Sequence, residues 1–278
     1  MKWNIVTDSS CDMMPSNTPD GEVLVSSVPF IISVGQQDFV DDASLNSEQM
    51  LDAMERSEEP SHTSCPAPQC WIEQFEKADQ CIAITISSQL SGSMGSAKLA
   101  REMVLEHSPN KKIAVLDSRS TGPELAICVE RIRELIRVGW GFDRIVAEAE
   151  LSLKHTHVAF ALSSFDNLVK NGRMSKIAGF IARKLGMWGI GVGSDEGTIS
   201  MKGKTRGSLS ALSMLINDMK EREFCGGKVM ISHCQNLKLA QKLQEKIHEL
   251  WPQCDVRILA TRGLCSYYAE RGGLILSY

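Results

Sequence analysis

Hydroxyl and carboxylate side chains follow predicted strands at the points where the strands end. The first strand passes into Asp8 and Ser9, and a later one passes into Ser91, Gly92 and Ser93 before a helical pattern begins. The carboxyl ends of strands in open α/β sheets are where ligands sit. Hydroxyls and the N–H groups of a helix start can bind an oxyanion, either carboxylate or phosphate. The alternative is that these residues only cap turns.

Catalytic machinery of recognised spacing is not evident in the sequence. It contains no P-loop, no dinucleotide-type glycine motif and no nucleophile elbow. Asp8 or Asp117 together with His233 could act as acid and base, so a hydrolase or transferase acting on an anionic acyl or phosphoryl substrate is kept as an alternative. The remaining groups are mostly neutral hydroxyls, which bind an anion without transforming it. We therefore predict a binding protein and not an enzyme.

Composition narrows the range of partners. The 278 residues carry a formal net charge of −4 and no basic run, which argues against a nucleic-acid partner. No apolar stretch reaches the roughly 20 residues that span a bilayer, so we predict no membrane span and a cytoplasmic location. The odd number of cysteines, nine, favours reduced thiols. Only Cys65 and Cys70 near His62 suggest a metal site, and they are too few, so we predict neither metal nor cofactor.

The order of predicted elements indicates an α/β protein with two lobes. Strand, loop and helix alternate through the first half, and a chain of this length accommodates two packed lobes. We place an N-terminal lobe at 1–153, with an inserted β-hairpin at about 23–45, and a C-terminal lobe at 154–278. An apolar helix is predicted for 177–185.

Several separated motifs, taken together and in order, resemble the DegV family of bacterial fatty-acid-binding proteins. They are Thr7-Asp-Ser-Ser, His62-Thr-Ser-Cys-Pro-Ala-Pro, Ile86-Ser-Ser-Gln-Leu-Ser-Gly-Ser, Val115-Leu-Asp-Ser, Asn167-Leu-Val-Lys-Asn-Gly-Arg-Met-Ser-Lys, Asp195-Glu-Gly-Thr-Ile and Lys204-Thr-Arg-Gly. The likeness covers nearly the whole chain. It implies a three-layer α/β/α N-terminal lobe with a parallel sheet and a two-layer α/β C-terminal lobe with a mixed sheet.

The resemblance also implies a function. Proteins of this family sandwich one long-chain fatty acid between their lobes, and in characterised branches a separate fatty acid kinase converts it to acyl phosphate. By position, Thr63 and Ser64 match the residues that face the carboxylate, as does the turn Ser91–Ser93. Arg173 matches an arginine expected near the mouth of the site, where the kinase docks. A docking module without a ligand is a further alternative.

One departure from the family pattern concerns Arg262. The family commonly has a His-Thr-Gly-Pro-Gly segment near the C-terminus, and Arg262 stands about where its histidine would be. A permanent cation there would either pair with the ligand carboxylate directly or mark a branch that uses no kinase. Of a set of apolar second-lobe residues, at most about half are expected to contact the acyl tail, and the others are expected to pack in the core. That set is Phe160, Leu162, Phe165, Ile177, Phe180, Ile181 and Leu185.

Overall fold

The computed structural model describes residues 2–20, 23–175 and 186–278. The strands are β1 (Trp3–Asp8), β2 (Ser16–Asp20), β3 (Val23–Val28), β4 (Ile31–Val34), β5 (Gln37–Val40), β6 (Ser61–Ser64), β7 (Gln80–Thr85), β8 (Lys112–Asp117), β9 (Val158–Leu162), β10 (Met187–Gly193), β11 (Ile199–Arg206), β12 (Lys228–His233), β13 (Asp255–Ala260) and β14 (Leu274–Ser277). The helices are α1 (Ser47–Arg56), α2 (Pro68–Phe75), α3 (Ser93–His107), α4 (Pro123–Arg137), α5 (Phe142–His155), α6 (Asp166–Lys170), α7 (Ser208–Glu221), α8 (Leu237–Leu250) and α9 (Gly263–Ala269).

The first half forms a three-layer α/β/α arrangement. Its sheet has the order β2-β3-β1-β7-β8, and β3, β1, β7 and β8 run parallel. Successive strand residues point to opposite faces, and both faces are buried. Val6 packs with α2 and α3 on one face, whereas Ile5 packs with α4 and α5 on the other.

The segment predicted as an inserted hairpin, about 23–45, is divided between two sheets. Val23–Val28 is a strand of the central sheet, parallel to β1. Within residues 23–45, the hairpin comprises β4 and β5, and β6 extends it into a separate three-stranded antiparallel sheet. The loose alternation of residues 23–34 cannot distinguish these cases, because alternation indicates which residues share a face of a strand and not which strands pair with it.

The second half is built on a mixed sheet of order β11-β10-β9-β14-β12-β13. Helices α7 and α8 cover one face, against alternate residues such as Ala161 and Ile231. The opposite residues, including Phe160 and Ile275, point toward the first half of the chain. The strands of this sheet come from residues 158–277, and the predicted lobe boundary at 153/154 falls in the last turn of α5. That boundary stays a prediction.

The apolar helix predicted for 177–185 lies outside the described residues, and so do four of the seven candidate tail contacts, Ile177, Phe180, Ile181 and Leu185. Within the described parts of the chain, no helix combines the length and apolar character needed to cross a bilayer.

Candidate ligand-binding site

A largely apolar cavity lies where the second sheet faces the first half of the chain. Its walls come from β9, β11 and β14, from α6 and the residues after it, from α9, and from β6 and loops of the first half. The lining residues are Phe30, Thr63, Ile86, Leu90, Ser91, Thr121, Phe160, Leu162, Leu168, Arg173, Ile199, Leu264, Cys265, Tyr268, Ala269 and Ile275. Most of these side chains are hydrocarbon, so the cavity is suited to a ligand with a long apolar part.

Four lining residues form a polar cluster, which comprises Thr63, Ser91, Arg173 and Tyr268. Thr63 Oγ1 lies 3.0 Å from the hydroxyl of Tyr268. Arg173 Nε donates to the carbonyl of Leu90 at 3.1 Å, which brings the guanidinium beside Ser91. Arg173 is the one charged side chain among the described lining residues. The cluster therefore offers an anion a cation and three hydroxyls within an otherwise apolar cavity.

The hydroxyl of Tyr268 is held in its protonated form. Burial raises the pKa of Tyr268 above its usual value of 10.0, while the hydrogen bond with Thr63 and the charge of Arg173 oppose the shift. The phenol therefore remains a hydrogen-bond donor at neutral pH.

The loop before α3 divides its hydroxyls between the cavity and the protein interior. Ser91 lines the cavity, and its Oγ accepts the N–H of Ser93 at 3.2 Å. The N-cap of α3 is Gly92, and Ser93 is the first helical residue. Ser93 is buried, and its Oγ donates to Asp8 Oδ2 at 2.6 Å. Gly92 is exposed, and neither it nor Ser93 lines the cavity.

Asp8 and Ser9 are buried and bind the protein's own groups. Asp8 Oδ2 accepts the N–H of Ile86 at 2.9 Å in addition to the Ser93 hydroxyl. Burial raises the pKa of Asp8, and its hydrogen bonds act in the opposite direction. Ser9 Oγ accepts the N–H of Phe30 at 2.9 Å. The structure therefore gives both residues a role in holding β1 to the neighbouring loops.

Arg262 is buried and lies outside the cavity lining. Its terminal nitrogens donate to Ser27 Oγ and to the carbonyl of Asp41, both at 2.8 Å. The Asp41 carboxylate in turn accepts the N–H groups of Gly263 and Leu264 at 2.8 Å. In this arrangement Arg262 and Asp41 hold the start of α9 in place, and the guanidinium does not face the polar cluster.

The other predicted site residues differ in where they lie. Ser64 is exposed while Thr63 reaches the cavity, because alternate residues of β6 point to opposite sides. Tyr268 and Thr121 also line the cavity, and sequence analysis did not identify them. The only available signal for Tyr268 is its place in an apolar, aromatic segment after Arg262, which is equally typical of core.

Among the described residues, neither Asp8 nor Asp117 forms a hydrogen bond or ion pair with His233, as the enzymatic alternative would require. His233 Nδ1 accepts the N–H of Asn236 at 3.2 Å. Asp117 Oδ1 accepts the N–H groups of Ser88 and Arg119. Across residues 2–20, 23–175 and 186–278, no group of three or more histidine, cysteine or acidic side chains is arranged to hold a metal ion.

Fold and site together define a two-lobed α/β protein with an apolar cavity that has a cationic, hydroxyl-rich patch. A family model described as "Uncharacterised protein, DegV family" matches residues 2–277. The chain belongs to the DegV family. A DegV domain-containing protein of Streptococcus pneumoniae is 40% identical over 278 residues, covering 100% of this chain and 99% of the relative. The family and the fold class predicted from the sequence are confirmed.

Solved structures show the same fold. The Streptococcus pneumoniae Fatty Acid Kinase (Fak) B3 protein, loaded with linoleic acid, is 40% identical with a TM-score of 0.96, over 100% of this chain and 99% of that one. A DegV family protein from Eubacterium eligens loaded with heptadecanoic acid is 37% identical with a TM-score of 0.94, over 99% and 98% of the two chains.

Proposed function

We propose that this protein binds one long-chain fatty acid, with the tail in the apolar cavity and the carboxylate at the polar cluster. The observation that carries the proposal is the single guanidinium, Arg173, in a cavity whose other described lining residues are uncharged. An amphipathic anion matches this distribution of charge, whereas a wholly polar or wholly apolar ligand does not. The two similar proteins that hold linoleic and heptadecanoic acid support it.

The tail supplies most of the affinity in this proposal. Burial of a hydrocarbon chain contributes about 0.8 kcal/mol per CH₂. The carboxylate must regain the hydrogen bonds that it loses with water, and hydrogen bonds to a charged group contribute about 1.5–3 kcal/mol each. Nε and Nη1 of Arg173 donate to the carbonyls of Leu90 and Asn171. The remaining nitrogen, Nη2, forms no hydrogen bond with another described residue. The proposed donors are that nitrogen and the hydroxyls of Ser91 and Tyr268, with the Thr63 hydroxyl donating to Tyr268.

We further propose a carrier role without catalysis. Thr63, Ser91 and Arg173 are half-buried, so a carboxylate bound to them would lie near the protein surface. A fatty acid kinase could reach a head group in that position, and the name of the similar Fak B3 protein supports such a partner. A kinase that uses ATP would work in the cytoplasm, and the free cysteines of the described residues are compatible with that compartment.

A comparison of two ligands tests the proposal. Oleic acid and oleyl alcohol share one hydrocarbon chain and differ in the head group. The wild-type protein, freed of lipid, is expected to bind oleic acid at least about tenfold more tightly, because one charge-assisted hydrogen bond has about this value. Arg173→Gln should reduce that preference, whereas Arg56→Gln, on the exposed surface of α1, should leave it unchanged. Failure of the wild type to bind oleic acid would contradict the proposal.

A further inference from the structure

Glycines occupy alternate positions on one face of β10. Gly189 lies opposite Leu162 of β9 in register, and Gly191 lies opposite Phe160. Leu162 and Phe160 both line the cavity. Because residues in register share a face of the sheet, these glycines belong to the face of β10 that continues the cavity wall.

Two phenylalanine rings occupy the space that the glycines leave. A methyl group added at Gly191 would overlap the ring of Phe160, and one added at Gly189 would overlap the ring of Phe165, at separations that real Cβ atoms do not show. Both rings are buried, with centroids 6.0 Å apart. Since β10 carries no side chain between them and its backbone, the rings lie directly on that strand.

The position of the Phe160 ring affects the width of the cavity. On the other side of β9, Ile275 of β14 lies opposite Phe160 and also lines the cavity. If a side chain at Gly191 displaces the Phe160 ring from β10, the backbone of β9, to which Phe160 belongs, blocks movement toward the sheet. The ring can then move only away from the sheet or toward Ile275. Either movement puts the ring into the cavity.

We infer that Gly191, supported by Gly189, is a specificity-determining position that keeps the cavity wide enough for bent, cis-unsaturated acyl chains. This inference rests on the proposed function. A cis double bond bends a chain, so the chain sweeps a wider cross-section than an extended saturated chain. Protein interiors are close-packed, and added volume is accommodated only by displacing neighbours. A narrower cavity therefore weakens the binding of a bent chain more than the binding of a straight one.

The test compares oleic acid with stearic acid, which have the same number of carbon atoms. Gly191→Ala is expected to raise the ratio of the oleic to the stearic dissociation constant by about tenfold relative to wild type. The matched control is Gly193→Ala. Its methyl group would lie 2.7 Å from Cγ1 of Val158, and Val158 does not line the cavity. Neither glycine has a positive φ, so both alanines test space and not backbone strain. The control should keep the ratio within about twofold of wild type.

A second pair of variants keeps the inference testable if Gly191→Ala does not fold. Phe160→Leu removes the ring and should shift the ratio in favour of oleic acid. The double variant Gly191→Ala/Phe160→Leu should fold and return the ratio toward the wild-type value. If folded Gly191→Ala, or Phe160→Leu, has the same ratio of oleic to stearic dissociation constants as wild type, the inference is overturned. The proposed function, fatty acid binding, would not be affected by that result. If the wild type binds neither acid, the proposed function itself fails, and the inference fails with it.

Discussion

Ser93 Oγ donates a 2.6 Å hydrogen bond to Asp8 Oδ2, so a hydroxyl that the sequence assigns to a ligand's carboxylate binds the protein's own carboxylate. Both residues are buried. The pairing joins the start of α3 to the end of β1 and fixes the loop that carries Ser91 to the cavity.

Replacement of Ser93 by alanine should therefore affect stability more than binding. The variant leaves the buried Asp8 carboxylate with one donor fewer, which is expected to lower the free energy of unfolding by about 1.5–3 kcal/mol. Ser91→Ala should show the opposite pattern, because Ser91 lines the cavity. Urea unfolding and fatty acid titration of both variants measure this. A Ser93→Ala protein of wild-type stability that no longer binds ligand would contradict the assignment.

Two adjacent tyrosines provide a matched pair for the polar cluster. The hydroxyl of Tyr268 contacts Thr63 in the cavity, whereas that of Tyr267 contacts Ser61 and Asn171 outside the cavity lining. Tyr268→Phe should weaken oleic acid binding by about tenfold through the loss of one donor to a carboxylate. Tyr267→Phe should lower stability by about 1 kcal/mol and leave the affinity unchanged. Equal affinities of the two variants would remove Tyr268 from the head-group site.

Arg262 and Asp41 should act as a structural pair. Arg262 Nε lies 3.9 Å from Asp41 Oδ1, and both side chains are almost fully buried. Arg262→Met is expected to cost about 3–5 kcal/mol of stability, because it leaves a buried carboxylate without its cation. In a double-mutant cycle with Asp41→Asn, the combined loss should be smaller than the sum of the two single losses. If Arg262→Met instead keeps its stability and loses affinity for fatty acids, the arginine pairs with the ligand, as the sequence analysis allowed.

Glu124, at the start of α4, should make stability depend on pH. Its carboxylate accepts the hydroxyls of Ser120 and Thr156 at 2.6 and 2.8 Å, and burial raises its pKa from 4.5 to about 7. The folded state therefore binds this proton more tightly than the unfolded chain does. The stabilisation that protonated Glu124 provides is complete below about pH 4.5 and is lost as the pH rises to about 7. The free energy of unfolding changes by about 3 kcal/mol over this range.

The variant Glu124→Gln isolates this effect. Above about pH 7, the difference in the free energy of unfolding between this variant and wild type should be nearly independent of pH. The variant should be the more stable protein there, because an amide has no charge to bury. Asp12, whose pKa burial raises to about 6, contributes equally to both proteins and cancels in the difference. Urea unfolding of both proteins between about pH 4.5 and pH 7 measures the difference in their free energies of unfolding. A difference that stays constant from acid to neutral pH would contradict the role of Glu124.

The family resemblance predicts the fold class, assigns Thr63 and Ser91 to the ligand carboxylate and puts Arg173 near the mouth of the site, because these positions lie in sequence motifs. Thr63, Ser91 and Arg173 all lie in motifs that resemble the DegV family, and the structure brings them to one cavity. Tyr268 could not be predicted. Its contact with Thr63 joins residues 205 positions apart and depends on how α9 packs across the first half of the chain.

Other differences also come from long-range pairing. A serine hydroxyl is suited equally to a ligand or to a buried carboxylate, so the partner of Ser93, 85 residues away, is decided only by the packing of α3 against β1. The same applies to Val23–Val28, which an alternating pattern assigns to a hairpin and tertiary pairing assigns to the central sheet. The cation of Arg262 was evident from the sequence, but its buried partner Asp41 was not.

Native mass spectrometry of the purified protein, before and after incubation with oleic acid, measures how many fatty acids each chain holds, and analysis of a solvent extract identifies them. We expect one long-chain fatty acid per chain, either as purified or after incubation, and a lower occupancy in the Arg173→Gln protein. A wild-type protein that shows neither bound fatty acid nor uptake of oleic acid would contradict the proposed function.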